Sequence, residues 1–186
     1  IVRDRQLGHQ LLVFKDGATG NLRLYEPEIT ASGQHLETLA QAMGLSGIGR
    51  GDGDLAGGRR SAGETLLEEF VPAAYREIAF ADTWVPLAHG QCMLPPKLEG
   101  RILQALDIQP HEHALEVGTG TGFFAACIGQ LARSVRTLDL FPDFVAGAMA
   151  SFARTGTHNV VAEAADAMQL AERDTYDVIA LTGSLP

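Results

Sequence analysis

The sequence predicts an α/β protein, a doubly wound and mainly parallel sheet with an N-terminal helical and hairpin appendage. Three observations predict it. First, His113-Ala114-Leu115-Glu116-Val117 reads as a short buried strand and passes through Gly118-Thr119-Gly120-Thr121-Gly122 into the apolar helix pattern of Phe123 to Leu131. Second, strand-like and helix-like segments alternate from Leu115 onward, the order of a sheet built from parallel crossovers. Third, Ser134-Val135-Arg136-Thr137-Leu138-Asp139 reads as a strand ending in an acid. That acid lies roughly 20 residues past the glycines, the spacing of a βαβ unit.

In chain order, Leu11-Leu12-Val13-Phe14 and Leu22-Arg23-Leu24-Tyr25 flank a glycine-bearing loop and read as a hairpin. His35 to Met43 places Leu36, Leu39, Ala40 and Met43 at helical spacing. Gly44 to Gly63 is glycine-dense and reads as a flexible linker or long loop. Asp52 and Asp54 within it lack the further ligands and the closing Glu of a calcium loop. Residues 1–63 are therefore read as an appendage and linker, and 64–186 as the main domain.

Glu64 to Phe80 is expected to be helical, interrupted at Pro72, with Leu66, Leu67, Phe70, Val71, Tyr75, Ile78 and Ala79 as its apolar stripe. Ala81 to Pro96 reads as a loop. Lys97 to Leu106 reads as an amphipathic helix with Leu98, Ile102, Leu103 and Leu106 turned inward. After Asp139, Asp143 to Arg154 is a helix burying Phe144, Val145, Ala148 and Phe152. Asn159 to Glu163 is a third strand with Asp166 just beyond it, and Tyr176 to Leu181 is a fourth. With the sequence ending at Pro186, that fourth strand is expected to form an edge of the sheet.

The glycine turn carries the chemistry. Gly118, Gly120 and Gly122 are expected to let a ligand approach the backbone with no Cβ in the way. The first N–H groups of the following helix have no internal partner, so strand, turn and helix together make a site for an anionic or polar ligand. The dinucleotide fingerprint is G-x-G-x-x-G. Here the third glycine comes one residue early, and Phe123 stands where that pattern wants glycine. With Glu116 two residues ahead of the first glycine, the run resembles motif I of the class I S-adenosylmethionine (SAM) methyltransferases. A carboxylate at Asp139 suits the two hydroxyls of a ribose. Asp139 is equally read as a helix N-cap, because Pro142 can open the next helix.

Composition narrows the classes. The chain has 186 residues, 46% of them hydrophobic and 20% charged, the profile of a globular protein with a buried core. A net charge of −9 argues against a nucleic-acid binder. Two cysteines, Cys92 and Cys127, do not make a disulfide scaffold, and Cys127 is expected to be a buried packing residue. No apolar run has membrane-spanning length and no signal peptide is read, so no membrane partner and a cytoplasmic setting are expected. His111 and His113 have no evident third metal ligand, so no metal is expected. Met149 and Met168 are read as packing residues.

From Phe70 to Pro186 the sequence resembles the protein-L-isoaspartate O-methyltransferase family. The matching pieces are Phe70-Val71-Pro72, Ala81-Asp82, Pro86-Leu87-Ala88-His89-Gly90-Gln91, the run Leu115 to Phe123, and Tyr176 to Gly183. The Pro-Leu-x-x-Gly-Gln segment is the most specific of them. The resemblance implies a Rossmann-like class I SAM-methyltransferase fold. It also implies a protein-repair activity, methylation of the carboxylate of damaged (isoaspartyl) residues in proteins or peptides. On this resemblance Glu116, Gly118, Thr119 and Gly120, with Gly122 completing the turn, line the methionine end of SAM. Asp139 takes the ribose, Leu140 lies beside the adenine, and Asp166 with Ala167 reaches the adenine amino group. Ala88 to Leu94 form the substrate side, with His89, Gln91 and Leu94 as its candidates.

Leu94 stands where the family carries a serine, Ala165 stands where it usually has glycine, and further family strands follow the fourth. A methyltransferase with another acceptor and a non-catalytic SAM-binding remnant are therefore the alternative readings. A carboxylate acceptor is already ionised at neutral pH, so no general base is required. His89 is read either as a hydrogen-bond partner of the substrate or as a cap of its own loop.

Overall fold

The computed structural model describes residues 13–15, 67–172 and 175–183. The expected second hairpin arm, the helix from His35, the glycine linker and its Asp52 and Asp54 lie outside them. In chain order the elements are β1 (Val13–Lys15), α1 (Leu67–Phe70), a 3₁₀ segment (Ala73–Ile78), β2 (Val85–Pro86), β3 (Cys92–Met93) and α2 (Pro96–Leu106). Then follow β4 (His113–Val117), α3 (Phe123–Leu131), β5 (Ser134–Asp139), α4 (Pro142–Thr155), β6 (Val160–Ala164), a 3₁₀ turn (Ala167–Gln169) and β7 (Val178–Leu181).

Five strands form one sheet in the order β1-β7-β4-β5-β6. The four strands β4 to β7 run parallel, as the alternating pattern requires. From β4 the chain moves outward to β5 and β6, then returns to place β7 on the other side of β4. The strand order therefore reverses between β4 and β7, and such sheets hold ligands beyond the carboxyl ends of the strands at that point. The expected edge at the fourth strand is corrected. β1 pairs antiparallel with β7, Val13 opposite Ala180 and Lys15 opposite Val178, so β7 is an interior strand.

The core lies between one face of this sheet and the helices. Phe123 to Ile128 of α3 are all buried, because α3 is covered on every side. Phe70, Phe123 and Phe152 bring α1, α3 and α4 together, their rings tilted with centroids 5.8 and 6.2 Å apart. α4 turns Ala148, Ser151 and Phe152 inward, while Phe144 and Val145 are only half-buried. Proline at the start of α2 and of α4 suits the first helical turn, where its missing N–H costs nothing. α4 stops at Gly156, whose φ of 70° closes the helix.

Three sequence expectations change at this level. The segment after Pro72 is 3₁₀ rather than α, so its side chains repeat every three residues and Ile78 faces solvent. In α2 the buried stripe is Glu99, Ile102, Leu103 and Leu106, with Glu99 in the place expected of the half-buried Leu98. Met149 and Met168 are exposed instead of packed, whereas Cys127 is fully buried as expected. Among the described residues no helix is long and apolar enough to cross a membrane.

The far face of the sheet is covered differently. Leu115, Val117, Ile179 and Leu181 border a cavity there together with residues of the stretches 167–172 and 175–176. Arg136 ties these two stretches to β5: its Nη1 donates to both carboxylate oxygens of Glu172 (2.8 and 2.7 Å) and to the Tyr176 hydroxyl (3.0 Å). Its Nη2 donates to Glu163 at 2.7 Å.

Candidate active site

The site is assembled where β4, β5, β6 and β7 end. The N–H groups of Gly118 and Thr119 both donate to the Leu138 carbonyl, at 2.8 and 3.1 Å, and fasten the glycine turn to β5. The N–H groups of Thr182 and Gly183 donate to the Val117 carbonyl, at 2.9 and 2.8 Å, and fasten the exit of β7 to the same turn. The three glycines then do three different things. A Cβ on Gly118, whose φ is +112°, would stand 2.2 Å from the Gly183 nitrogen, so this glycine is demanded by the crossing of two strand exits. A Cβ on Gly122 would meet Ala148 Cβ at 2.8 Å and the Phe152 ring at 2.9 Å, so this one lets α3 close on α4. Only Gly120, with φ +51°, faces open space, its nearest neighbour being Leu87 Cδ1 at 3.7 Å. Of the three glycines expected to let a ligand approach, Gly120 is the one with room beside it, although Gly118 also borders the cleft.

Asp139 closes the turn from the other side. Its Oδ2 accepts from the Gly120 N–H at 2.9 Å and its Oδ1 from the Phe141 N–H at 3.1 Å. The N-cap of α4 is Phe141, not Asp139, so the alternative N-cap reading is corrected. Each carboxylate oxygen has two acceptor sites, so capacity remains for two further donors. Beyond β6, Asp166 accepts from the Met168 N–H at 2.9 Å and from Gln169 Nε2 at 3.0 Å, and caps the 3₁₀ turn. Asp139, Leu140, Asp166 and Ala167 border one cleft of about 190 Å³ together with Gly118, Gly120 and Gln91. Leu140 and Met168 are 62% and 70% exposed and supply apolar walls.

Behind the turn lies a second, smaller space of about 40 Å³, bordered by Glu116, Thr119, Leu94 and Glu99. Glu116 is fully buried and accepts from the Thr137 hydroxyl at 2.6 Å and the Thr182 hydroxyl at 3.1 Å. Thr137 is in turn 2.8 Å from the Thr119 hydroxyl. Burial pushes the Glu116 carboxyl up to about 8, with the two threonine hydrogen bonds pulling down and the Asp139 charge adding to the rise. Glu99 is pushed well above the carboxylate range by burial and by Glu116. Its Oε2 has no hydrogen-bond partner.

The loop over the turn is a small hairpin, β2 against β3, folded around the 3₁₀ turn Ala88–Gly90. His89 sits at its tip with φ 56°, a left-handed conformation uncommon for a residue with a side chain. Its ring stacks on Phe141 at 4.0 Å and takes the edge of Phe144 at 5.3 Å. Its Nε2 lies 2.9 and 3.0 Å from the two oxygens of Asp143, and this bond holds the Asp143 carboxyl below its usual range. His89 therefore ties the loop to α4 rather than bordering the cleft, while Gln91 borders it and Leu94 is buried behind the turn. Of the expected pair, His111 is exposed and His113 Nδ1 lies 2.7 Å from the Ser134 hydroxyl. Among the described residues no group of three metal-ligating side chains occurs.

Sequence reasoning gave no role to Glu99, Thr137, Asp143, Thr182 or Gly183. Glu99 had a usable signal, since residues 99, 102, 103 and 106 share one helical face and a charge among them is an anomaly. The threonines had none, because they meet Glu116 only once the sheet forms.

Residues 63–186 match the sequence model of a family described as protein-L-isoaspartate(D-aspartate) O-methyltransferase. The chain belongs to that family. A protein-L-isoaspartate O-methyltransferase of Koribacter versatilis is 37% identical over 120 residues, which are 64% of this chain and 54% of the relative. One of Xanthobacter autotrophicus is 34% identical over 157 residues, 84% of this chain and 70% of the relative. The chain spans about half the length of most of the curated relatives it matches. Two solved structures share the fold. One, from Plasmodium falciparum, is described as a protein-L-isoaspartate O-methyltransferase in complex with S-adenosyl-L-homocysteine. It has a TM-score of 0.50 at 21% identity and covers 57% of this chain and 53% of its own. Another protein-L-isoaspartate O-methyltransferase gives a TM-score of 0.54 at 22% identity, covering 63% of this chain and 40% of its own. Within the family frame, the Pro86 to Gln91 segment is the hairpin that His89 fastens to α4.

Proposed function

We propose that this chain transfers a methyl group from SAM to the carboxylate of isoaspartyl residues in proteins or peptides. Membership of the family carries the reading, and the cleft between the glycine turn, Asp139 and Asp166 supports it. The residues present fit the cofactor. Gly120 leaves an open face where a Cβ would stand, Asp139 keeps acceptor capacity, Leu140 and Met168 offer apolar walls, and Glu99 carries an unpartnered carboxyl oxygen.

In this reading Asp139 accepts from the ribose hydroxyls while its hydrogen bond to Gly120 keeps the turn shaped for the ligand. Leu140 and Met168 flank the adenine, and Asp166, ordered by Met168 and Gln169, accepts from its amino group. Gly118, Thr119 and Glu116 lie toward the methionine end. Bound SAM supplies an electrophilic methyl group on its sulfonium. The protein has to hold an ionised carboxylate in line with it and exclude water. The β2–β3 hairpin is suited to that task, because His89 and Asp143 hold it down over the turn. No proton needs to be removed from the acceptor at neutral pH.

Leu94 has no hydroxyl for the acceptor and is buried. Leu94→Ser is therefore expected to raise transfer to an isoaspartyl peptide, measured with radiolabelled SAM; no gain would favour a different acceptor. The direct test of the main reading is calorimetric titration with S-adenosyl-L-homocysteine, followed by labelled methyl transfer to isoaspartyl and aspartyl peptides. Binding with transfer to the isoaspartyl peptide alone supports it, and transfer to neither overturns it.

A further inference from the structure

The small space behind the glycine turn has a feature that the methyl-transfer reading leaves unused. Two carboxyl groups meet there in the interior. Glu116 comes from β4 and is satisfied by Thr137 and Thr182. Glu99 comes from the first turn of α2, is 3% exposed, and leaves its Oε2 without a partner. A buried polar atom with no partner is costly unless a ligand or a proton satisfies it. The described residues bordering this space include no Lys, Arg or His. Among the described residues the other titratable groups facing the pair are acids or thiols: Cys127 on α3, Cys92 on β3 and, beside Glu116, Asp139 on β5. The charge that fits this surface is positive.

The space adjoins the cleft that holds Asp139 and Asp166, since Gly118, Gly120, Leu87, Cys92 and Thr182 border both. A ligand with its ribose at Asp139 and its chain running over Gly118 and Gly120 therefore ends at the two glutamates. The about 40 Å³ available matches a group the size of an ammonium, not a second ring.

We propose that Glu99, acting with Glu116, binds the α-ammonium of the cofactor's methionine end and releases a proton to solvent as it does so. The inference rests on the SAM reading above. The balance is simple. Before binding, burial favours the protonated form of both carboxyls. The incoming ammonium keeps its own three protons, one glutamate loses its carboxyl proton to the buffer, and a carboxylate–ammonium pair remains. α2 thereby joins the exits of β4, β5, β6 and β7 as a contributor to the site. Glu99 is a binding residue and takes no part in bond making.

The experiment compares two ligands on the whole chain. S-Adenosyl-L-homocysteine carries the ammonium; 5′-methylthioadenosine has the same adenosyl thioether without the amino-acid end. Each is titrated calorimetrically at pH 7 in two buffers of different ionisation enthalpy, which counts protons released. The expected result is roughly one proton released by S-adenosyl-L-homocysteine and none by 5′-methylthioadenosine. Affinity for the first should tighten between pH 6 and 8 while affinity for the second stays level. Glu99→Gln should weaken the first roughly tenfold and leave the second unchanged. Equal proton counts for the two ligands, or equal losses in the variant, would overturn the proposal while leaving the cofactor reading intact. Failure of both ligands to bind the unaltered chain would overturn the cofactor reading and this proposal with it. The proton count needs no variant, so it decides even if Glu99→Gln does not fold.

Discussion

Asp139 spends both carboxylate oxygens on the protein's own backbone before any ligand arrives. A residue of this kind shapes the site as well as touching its occupant. Asp139→Ala therefore removes the acceptor for two N–H groups and should lower the thermal midpoint measurably, besides weakening S-adenosyl-L-homocysteine by at least roughly tenfold in calorimetry. Loss of affinity without loss of stability would show that the turn holds its shape unaided. Glu116 acts on stability with a definite sign. Its carboxyl titrates near 4.5 when unfolded and near 8 when folded, so the folded state binds the extra proton. The stability this contributes is complete below about 4.5 and is lost as pH rises through about 8. The ligand-free protein should melt at a lower temperature at pH 8 than at pH 5, and Glu116→Gln should flatten that difference. A pH-independent midpoint in the unaltered chain would mean that Glu116 is not buried as described.

At the level of elements, the glycine turn separates into a packed part, Gly118 and Gly122, and an open part, Gly120. Gly118→Ala forces a Cβ into the exit of β7 at a strained φ and should cost about 3 kcal/mol in urea unfolding. Gly120→Ala meets open space and should cost only about 1 kcal/mol for its left-handed backbone, while losing the cofactor. Equal stability losses would undo that division. The tip of the β2–β3 hairpin is tied to α4 through His89 and Asp143, and Asp143→Ala should speed amide hydrogen exchange across residues 87–92 without altering the sheet. These elements differ in how much of them the sequence reveals. The strand, turn and helix around Gly118 to Gly122 are local, so periodicity and glycine spacing find them. Ile78 misleads because apolar spacing cannot tell a 3₁₀ turn from an α-helix. Glu99 misleads because an acid in a first helical turn usually complements the helix dipole at the surface, which hides the signal of its place on the face of Ile102, Leu103 and Leu106. His89 misleads because its partners Phe141 and Asp143 lie more than fifty residues away.

For the whole molecule, the parallel order β4-β5-β6 follows from the alternation of segments, but the covering of β7 does not. β1 comes from the far end of the chain, and a pairing over that separation leaves no local trace. A chain shortened to begin at residue 64 loses β1 and presents the bare backbone of β7. It should self-associate, eluting larger and concentration-dependently in size-exclusion chromatography with light scattering, whereas the full chain should not do so through that strand. Identical elution of the two would show that β7 needs no cover.

Arg136 stands on the side of the sheet away from α3 and α4, yet it grips Glu163, Glu172 and Tyr176 with a single planar fork. The segment it anchors is the one that begins at Asp166. Distance from the cleft is therefore a poor guide to which positions tolerate change in this molecule. Lysine at 136 keeps the charge but cannot span three partners, so drift there would be felt at Asp166, whereas many nearer surface positions could vary freely.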